Sequence, residues 1–450
     1  MKAAESDFPR VRDIVTAAQA SVAPWGPNIE AEVVRAAKSY VWRLRKTKRA
    51  RLAGRRKQAN ALSYWLMTGP GAKLCAAILT TKEKSKRPLQ FYLNRAADMN
   101  PRRSTEEAVR VIGIPKGDGR LRPITIVGPL AAANQELVKT VYIAKLGHSE
   151  YEFSRRGRGR EAVIRNTLQS IKEGETTHLV EADIADYFPS VNGLALARFL
   201  KIPSAIVRHT LLISPAIVIH YDKSFYISPK LVRRGLPMGF RSSPFFASKL
   251  LEPILKQLET PISRSFIDNL GFGACGELAA NEKKDTLAVL LQQHPAGPFS
   301  LKYARTFTID DENDILGYWV RRQAAGWGGG ARATPSKPSI LRAQRKLFSK
   351  LCYLDYRQFD KIIEEWAAAW TSRYPVWGGR KHGAVFAHLA AFDHVARHVG
   401  FFNKKTRGPF KSFSEMWTTA LVSASALPAD PFYRPIGPWN TGLLCVKGAP

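Results

Sequence analysis

Cysteine and acidic side chains are the two things this 450-residue chain has little of. Its 4 cysteines, Cys75, Cys275, Cys352 and Cys445, stand far apart, and no two have the spacing of paired zinc ligands. That excludes a disulfide framework and a zinc knuckle. Buried or free thiols in a reducing compartment are expected instead. Asp and Glu number 37 against 69 Lys and Arg, a formal net charge of +32. A charge of that size repels itself and opposes the compact state unless a polyanion neutralises it. Nucleic acid is the first such partner expected. Long apolar runs are missing too. No stretch reaches the ~18 residues that would cross a bilayer, and the longest candidate, residues 211–219, contains Ser and Pro. The first residues, Met1-Lys-Ala-Ala-Glu-Ser-Asp-Phe-Pro9, carry neither the basic nor the apolar region of a signal peptide. A cytoplasmic protein with no membrane partner is expected. No Gly-x-x-x-x-Gly-Lys-Ser/Thr loop occurs, which argues against a nucleotide hydrolase.

What is present suffices for two or three domains, with 45% hydrophobic and 10% aromatic residues. Residues 1–100 read as helical. Residues 29–44 are rich in Ala, Val and Glu, and residues 62–67 and 72–79 carry apolar side chains at helical spacing around the breaker Gly69-Pro-Gly71. Between these parts runs a basic series, Arg43, Arg45, Lys46, Lys48, Arg49 and Arg51, continuing to Arg55, Arg56 and Lys57. It lacks acidic partners one helical turn away. Contact with RNA or DNA phosphates is expected, and a solvated helix face is the alternative.

Further along, residues 109–126 read as a β-hairpin around Lys116-Gly-Asp-Gly-Arg120. A helix over 129–146, a Gly/Arg loop over 155–160 and a helix over 162–171 follow. A strand over 177–182 leads to Asp183. Strands are expected near 263–272 and 301–320, and a Gly/Pro-rich linker over 326–339. Residues 340–369 and 383–398 read as helices. His388, His394 and His398 share the second of these. No Cys or Glu completes a zinc set there, so core or surface histidines are expected.

Two acidic segments carry the chemistry: Glu181-Ala-Asp183-Ile-Ala-Asp-Tyr-Phe-Pro-Ser-Val191 and Ser265-Phe-Ile-Asp268-Asn-Leu270. Each sets an acid among bulky apolar neighbours, as a strand end does when it feeds a metal site. Between them lies Arg234-Gly-Leu-Pro-Met-Gly-Phe-Arg-Ser-Ser-Pro244, a turn leading into a helix. Carboxylate, turn, carboxylate is the order that templated nucleotidyl transfer needs. Asp183 and Asp268 would hold Mg²⁺, with the carbonyl of Ile184 as a further oxygen ligand. Lys116 and Arg122 would clamp a triphosphate. Gly235, Pro237 and Gly239 would let backbone approach a base pair. Lys302, or Arg305 in the alternative register, would donate a proton to pyrophosphate.

The order of these segments resembles the reverse transcriptases, particularly the bacterial group II intron-like branch and its stand-alone relatives. The resemblance spans residues 109–320. Residues 114–124 resemble that branch's fingers hairpin, and residues 151–160 its basic loop, with Arg155, Arg156, Arg158 and Arg160 on nucleic acid. Asp183-Ile-Ala-Asp-Tyr-Phe188 resembles the first palm motif, and Gly235-Leu-Pro-Met-Gly239 the second. Phe266-Ile-Asp-Asn269 stands at the aromatic-x-Asp-Asp box, and Ile315-Leu-Gly-Tyr318 resembles the primer grip. The resemblance implies an α+β right-hand polymerase with fingers and an antiparallel palm sheet over 101–325. It further implies a thumb and tail over 340–450, and a basic helical extension before them.

By the same resemblance Phe188 closes against the sugar 2′ position, which implies deoxynucleotide use. The implied activity is RNA-directed DNA synthesis, with dNTP as substrate, DNA as product and an RNA template. A stand-alone role in antiphage defence with a noncoding RNA is implied as well. Two positions depart from the pattern. Asn269 replaces a second aspartate, which lowers the site's negative charge and shifts the expected ion toward Mn²⁺. Met238 stands where many relatives carry a glutamine, so a polar contact to the nucleotide or strand is replaced by an apolar one. An RNA-dependent RNA polymerase is the rival, and it implies a small or polar residue at Phe188 and Gly at Ile267. An inactive RNA-binding scaffold and an intron maturase are the others. The primer and the oligomeric state stay open.

Overall fold

The computed structural model describes residues 7–81, 86–115, 121–155, 158–221, 227–311, 313–323, 330–336, 338, 339 and 342. Lys116, Arg156, the histidines at 388, 394 and 398 and nearly all of the expected thumb lie outside these residues. Helix and sheet are mixed, and the chain forms two compact units. The first comprises residues up to Gly159 and 180–306, and the second 160–179 and 307 onward.

The first unit opens with five helices: α1 (Val11–Ser21), α2 (Pro27–Leu52), α3 (Arg56–Thr68), α4 (Pro70–Thr80) and α5 (Leu89–Asp98). The breaker at Gly69-Pro70 works as expected. Gly69 ends α3 and Pro70 is the first residue of α4, where a missing N–H costs nothing. α4 is the apolar centre of this bundle, with Ala72 and Leu74 through Ile78 all buried. Such all-round apolarity is what a helix needs when it is enclosed by others. α2 runs longer than the expected 29–44 because good helix formers continue to Leu52, and Arg49 and Arg51 complement its C-terminal dipole.

β1 (Val109–Pro115) and β2 (Leu121–Ile126) form the expected antiparallel hairpin, in register from Arg110 with Ile126 to Pro115 with Leu121. α6 (Pro129–Leu146) follows and is largely buried. Its N-terminus is capped from a distance. The Glu107 carboxylate accepts from the main-chain N–H of Leu130 (3.1 Å) and of Ala131 (2.7 Å), placing negative charge where the helix dipole favours it.

The chain then enters α7 (Gly159–Lys172), β3 (His178–Ile184), α8 (Tyr187–Ser190), α9 (Gly193–Phe199), α10 (Ser204–Ile206), β4 (Ile219–Tyr221) and α11 (Pro229–Val232). After these come α12 (Ser243–Gln257), β5 (Ser263–Phe266), β6 (Asn269–Ala274), α13 (Glu277–Gln292), β7 (Leu301–Thr308), β8 (Tyr318–Gln323) and β9 (Gly330–Pro335). β4 adds to β1 in parallel, giving a small sheet ordered β2-β1-β4 over Val109, Val111, Ile213, Ile217 and Phe240. The sheet that matters for the site is ordered β5-β6-β3-β7, with β5 and β6 an antiparallel hairpin. Behind it α12 supplies Phe246, which meets Tyr142 of α6 with ring centres 5.7 Å apart. Phe272 and Phe299 are buried in the same core.

In the second unit α7 buries Val163, Ile164, Thr167 and Ile171. β8 and β9 pair antiparallel from Tyr318 with Pro335 to Gln323 with Gly330. The stretch expected as linker, 326–339, therefore contains a strand. Its Gly and Pro suggested coil, but Pro335 sits at the strand end, where its missing donor interrupts no ladder, and Ala333 is buried on the pleat. Ile315-Leu-Gly-Tyr318 is a two-residue turn with Leu316 at φ 50° and Gly317 at φ 92°. Positive φ at both centres is the twist that suits a tight hairpin. Among the described residues no helix is long and apolar enough to cross a membrane.

Candidate active site

β3 brings Asp183 forward on a strand whose other residues are mostly buried: Leu179, Val180, Ala182 and Ile184. The second acid arrives on a turn. Phe266 pairs with Asn269, so Ile267 and Asp268 alone connect β5 to β6. Ile267 has φ 63°, a left-handed conformation that a β-branched side chain adopts only under strain. The turn is tied to β3 by one bond: the N–H of Ile184 donates to the carbonyl of Asp268 at 3.1 Å. Strand order and that bond bring the residues carrying the two acids side by side.

Electrostatics bear the marks of that closeness. Burial pushes the Asp268 carboxyl above its ordinary range, and the neighbouring Asp183 charge pushes it the same way, while Arg122 and Lys302 pull it down. Lys302 on β7 reaches Asp183 with Nζ 3.4 Å from Oδ2, and its side chain is 60% exposed. The Tyr303 hydroxyl is pushed up, first by burial and then by Asp183 and Glu181. Asn269 Oδ1 is buried and has no hydrogen-bond partner among the described residues. Two carboxylates and an amide oxygen are the kind of ligand a hard cation such as Mg²⁺ takes. Among the described residues no three His, Cys, Asp or Glu side chains gather as a complete metal cage. Mg²⁺ is commonly held by one or two carboxylates together with substrate phosphates, and the two acids here match that sparse donor set.

Below the acids the site is braced. Tyr187, absent from the sequence-level candidates, is buried, donates its hydroxyl hydrogen to the carbonyl of Ala247 (2.6 Å) and meets Phe299 edge-on at 5.1 Å. It pins α8 to α12. Phe188 follows it, half-buried, with its ring 5.9 Å from that of Tyr187. The Phe188 carbonyl accepts from the N–H of Leu236 at 2.8 Å. Gly235, at φ 65°, must be glycine because a Cβ there would lie 2.2 Å from that same carbonyl oxygen. On the other side of the loop, Met238 accepts through its carbonyl from the N–H of Thr125 (2.7 Å). Gly239, at φ 105°, faces the Thr125 carbonyl, and Ser243 Oγ donates to the carbonyl of Pro237 (2.9 Å). The loop from Gly235 to Gly239 is thus fastened to α8 and to β2, the strand that carries Arg122. Both glycines are required by close approach to this chain's own backbone.

A second missed feature is Arg264. It pairs across the hairpin with Gly271, and its guanidinium crosses above that glycine to meet Glu181 on β3 in a buried ion pair. A Cβ at residue 271 would fall 2.5 Å from the guanidinium carbon. The register was the available signal: a two-residue turn at 267–268 sets residue 264 opposite 271.

The basic residues divide by helix periodicity. Arg45, Lys46, Arg49, Arg55, Arg56 and Lys57 are exposed, and Arg43 is half-buried. Lys48 instead turns inward to Asp7 (3.0 Å), and Arg51 donates to the carbonyl of Leu146 (3.3 Å). Arg155 pairs with the other Asp7 oxygen at 3.0 Å. Arg158 donates to the carbonyl of Glu150 and lies 4.7 Å over Phe153. Arg160, in the second unit, pairs with Glu161 (3.2 Å) and lies over Tyr318. These five make partners within the protein; for Lys48 and Arg51 the reason is that a helical run cannot place every residue outward.

No protein-family model and no curated protein matches the sequence. Among solved structures the chain is similar to the Sicinivirus 3Dpol RNA-dependent RNA polymerase, at 11% identity and a TM-score of 0.40, covering 69% of this chain and 73% of that one. It is similar to the insertion-loop deletion mutant of a human picobirnavirus RNA-dependent RNA polymerase at 15% identity and a TM-score of 0.41, over 71% and 65% of the two chains. Apo telomerase from Candida tropicalis gives 11% identity and a TM-score of 0.36, over 71% and 61%. Likeness of this degree carries no activity across to this chain.

Proposed function

We propose that the chain is a nucleic-acid polymerase, and specifically an RNA-directed DNA polymerase adding deoxynucleotides to a primer end. The observation that carries the reading is the bond from the Ile184 N–H to the Asp268 carbonyl, which sets the residues bearing the two acids on neighbouring backbone. Asp183 and Asp268, with the Ile184 carbonyl and the orphaned Asn269 oxygen, would hold divalent Mg²⁺ or Mn²⁺. Bound there, the metal would activate a primer hydroxyl and stabilise charge on leaving pyrophosphate. The protein's own residues supply the rest. Arg122 would bind the triphosphate. Lys302, already beside Asp183, would hold a proton for the departing pyrophosphate. The Phe188 ring would exclude a ribose 2′-hydroxyl, held in place by Tyr187 beneath it. The exposed cations of α2 would bind template phosphates. Action on a noncoding RNA in antiphage defence rests on the family resemblance alone.

The test is primer extension on an RNA template with deoxynucleotides and ribonucleotides offered separately, in Mg²⁺ and in Mn²⁺. Deoxynucleotide incorporation lost in Asp183→Ala is expected. Preferred ribonucleotide incorporation would replace this reading with RNA-directed RNA synthesis. Asn269 favours one second reading, an RNA-binding scaffold. Absence of incorporation in either metal, together with a cellular phenotype indifferent to Asp183→Ala, would establish it.

A further inference from the structure

From residue 33 to residue 82 the chain contains no Asp or Glu. Within that stretch α2 buries Val33, Ala37, Tyr40, Val41 and Leu44 on one side. Helical spacing then gathers Lys38, Trp42, Arg45, Lys46 and Arg49 on another. Trp42 is 57% exposed, and Lys46 Nζ lies 4.7 Å above its ring. The indole does not stand on a flat surface. With Val11 of α1 and with Val41 it walls a cavity of about 440 Å³, and Lys38, Arg45, Lys46 and Arg49 line the same cavity.

Apolar walls and an aromatic face with four cations beside them suit a planar ring joined to anions. A nucleotide has that chemistry, whereas a lipid headgroup has no flat ring to offer the indole. The cations also extend beyond one nucleotide: from Lys38 to Arg49 the stripe runs about 16 Å at the ~1.5 Å per residue of an α-helix. A strand fits that length better than a free nucleotide does.

We propose that the cavity between α1 and α2 is a stacking pocket for single-stranded RNA, in which Trp42 receives an unpaired base and the stripe holds the flanking phosphates. This rests on the reading of the chain as an enzyme that copies RNA, and it adds a residue and a strandedness to that reading. Paired bases are already stacked on their neighbours and cannot reach the indole, so a duplex is excluded from the pocket. Lys46, on a flexible stem, yields the ring face and turns to a phosphate.

The full-length protein is titrated at fixed salt against a labelled oligouridylate, an RNA duplex and an abasic phosphodiester strand of equal length, read by fluorescence anisotropy. Trp42→Ala is expected to weaken the oligouridylate about tenfold, the effect of one stacked base, and to leave the abasic strand within about twofold. Trp42→Leu, which keeps the apolar wall without the ring, is expected to match Trp42→Ala, and Trp42→Phe to recover most of the affinity. Equal losses on the oligouridylate and the abasic strand overturn the proposal, and so does a duplex loss as large as the single-strand loss. Displacement of the oligouridylate by an equal concentration of free nucleoside triphosphate also overturns it in favour of a mononucleotide site. Failure of the polymerase reading looks different: incorporation is absent while the Trp42 dependence persists.

Discussion

Glu181 and Asp183 sit two residues apart on β3, on the same face of one strand, and their surroundings are opposite. Glu181 is buried and paired with Arg264, whose guanidinium reaches it across a glycine. Asp183 meets only the long, 60% exposed side chain of Lys302 among the described salt bridges. It shares its neighbourhood with Asp268, whose carboxyl is pushed up by burial and by Asp183 itself. At Glu181 a charge is cancelled inside the protein and holds strands together. At Asp183 the carboxylate has an exposed cation on one side and the like charge of Asp268 nearby. Only the second arrangement would gain from a divalent cation, so under the proposed function the same residue chemistry serves the fold in one place and the reaction in the other.

The largest effects should separate the two acids by their readouts. Asp183→Ala is expected to cut incorporation by about 10³-fold or more, equivalent to ~4 kcal/mol of transition-state stabilisation, with the denaturation midpoint unchanged or raised. Arg264→Ala should do the reverse. Removing the cation buried against Glu181 is expected to cost about 3–5 kcal/mol of stability, seen as a lower urea midpoint at constant slope. Activity per folded molecule should be retained. A stability loss in Asp183→Ala matching that of Arg264→Ala would erase the distinction between the two acids.

Much of this was legible in the chain before its fold was known, and the failures have physical reasons. The hairpin over 109–126 and the helix over 129–146 follow from local turn chemistry and periodicity, and both form as expected. The site's two acids stood out because each lies among apolar residues. Arg264 did not, since its role depends on crossing a neighbouring strand, which requires the pairing register as well as the sequence. The inward turn of Lys48 and Arg51 was readable from their spacing relative to Leu44, but the eye takes a charge run as one surface. The strand Gly330–Pro335 was hidden by its composition. The parallel pairing of β4 with β1, residues 109–111 with 219–221, is a long-range contact that no local pattern announces.

Ile267 gives a smaller test, on the turn between β5 and β6. A β-branched residue at φ 63° stores on the order of 1–3 kcal/mol. Glycine adopts that conformation freely but loses ~0.5–1 kcal/mol more chain entropy on folding. Ile267→Gly should therefore stabilise the protein by about 1 kcal/mol net, a modest rise in melting temperature. It should also loosen Asp268 and lower incorporation. A destabilised Ile267→Gly would mean that the isoleucine contributes more through packing than its backbone costs.

Asp268→Asn addresses the surroundings of Asp183 through pH. The folded protein holds the Asp268 proton more tightly than the unfolded chain does, because burial and Asp183 both disfavour the charge. The native state therefore binds more protons, and stability must fall as pH rises through the titration of this group. Below the ordinary carboxylate range both states are protonated and the penalty vanishes. Asp268→Asn removes the ionisation altogether. Without divalent metal its melting temperature is expected to exceed that of the parent at neutral pH, and the gap to close on acidification. Saturating Mg²⁺ should narrow or reverse the neutral-pH gap, since only the parent retains both carboxylates to bind the ion and gain stability by mass action. A variant less stable than the parent at neutral pH without metal would show that Asp268 is satisfied within the protein, as Glu181 is, and that the surroundings of Glu181 and Asp183 do not differ in the way their geometry indicates.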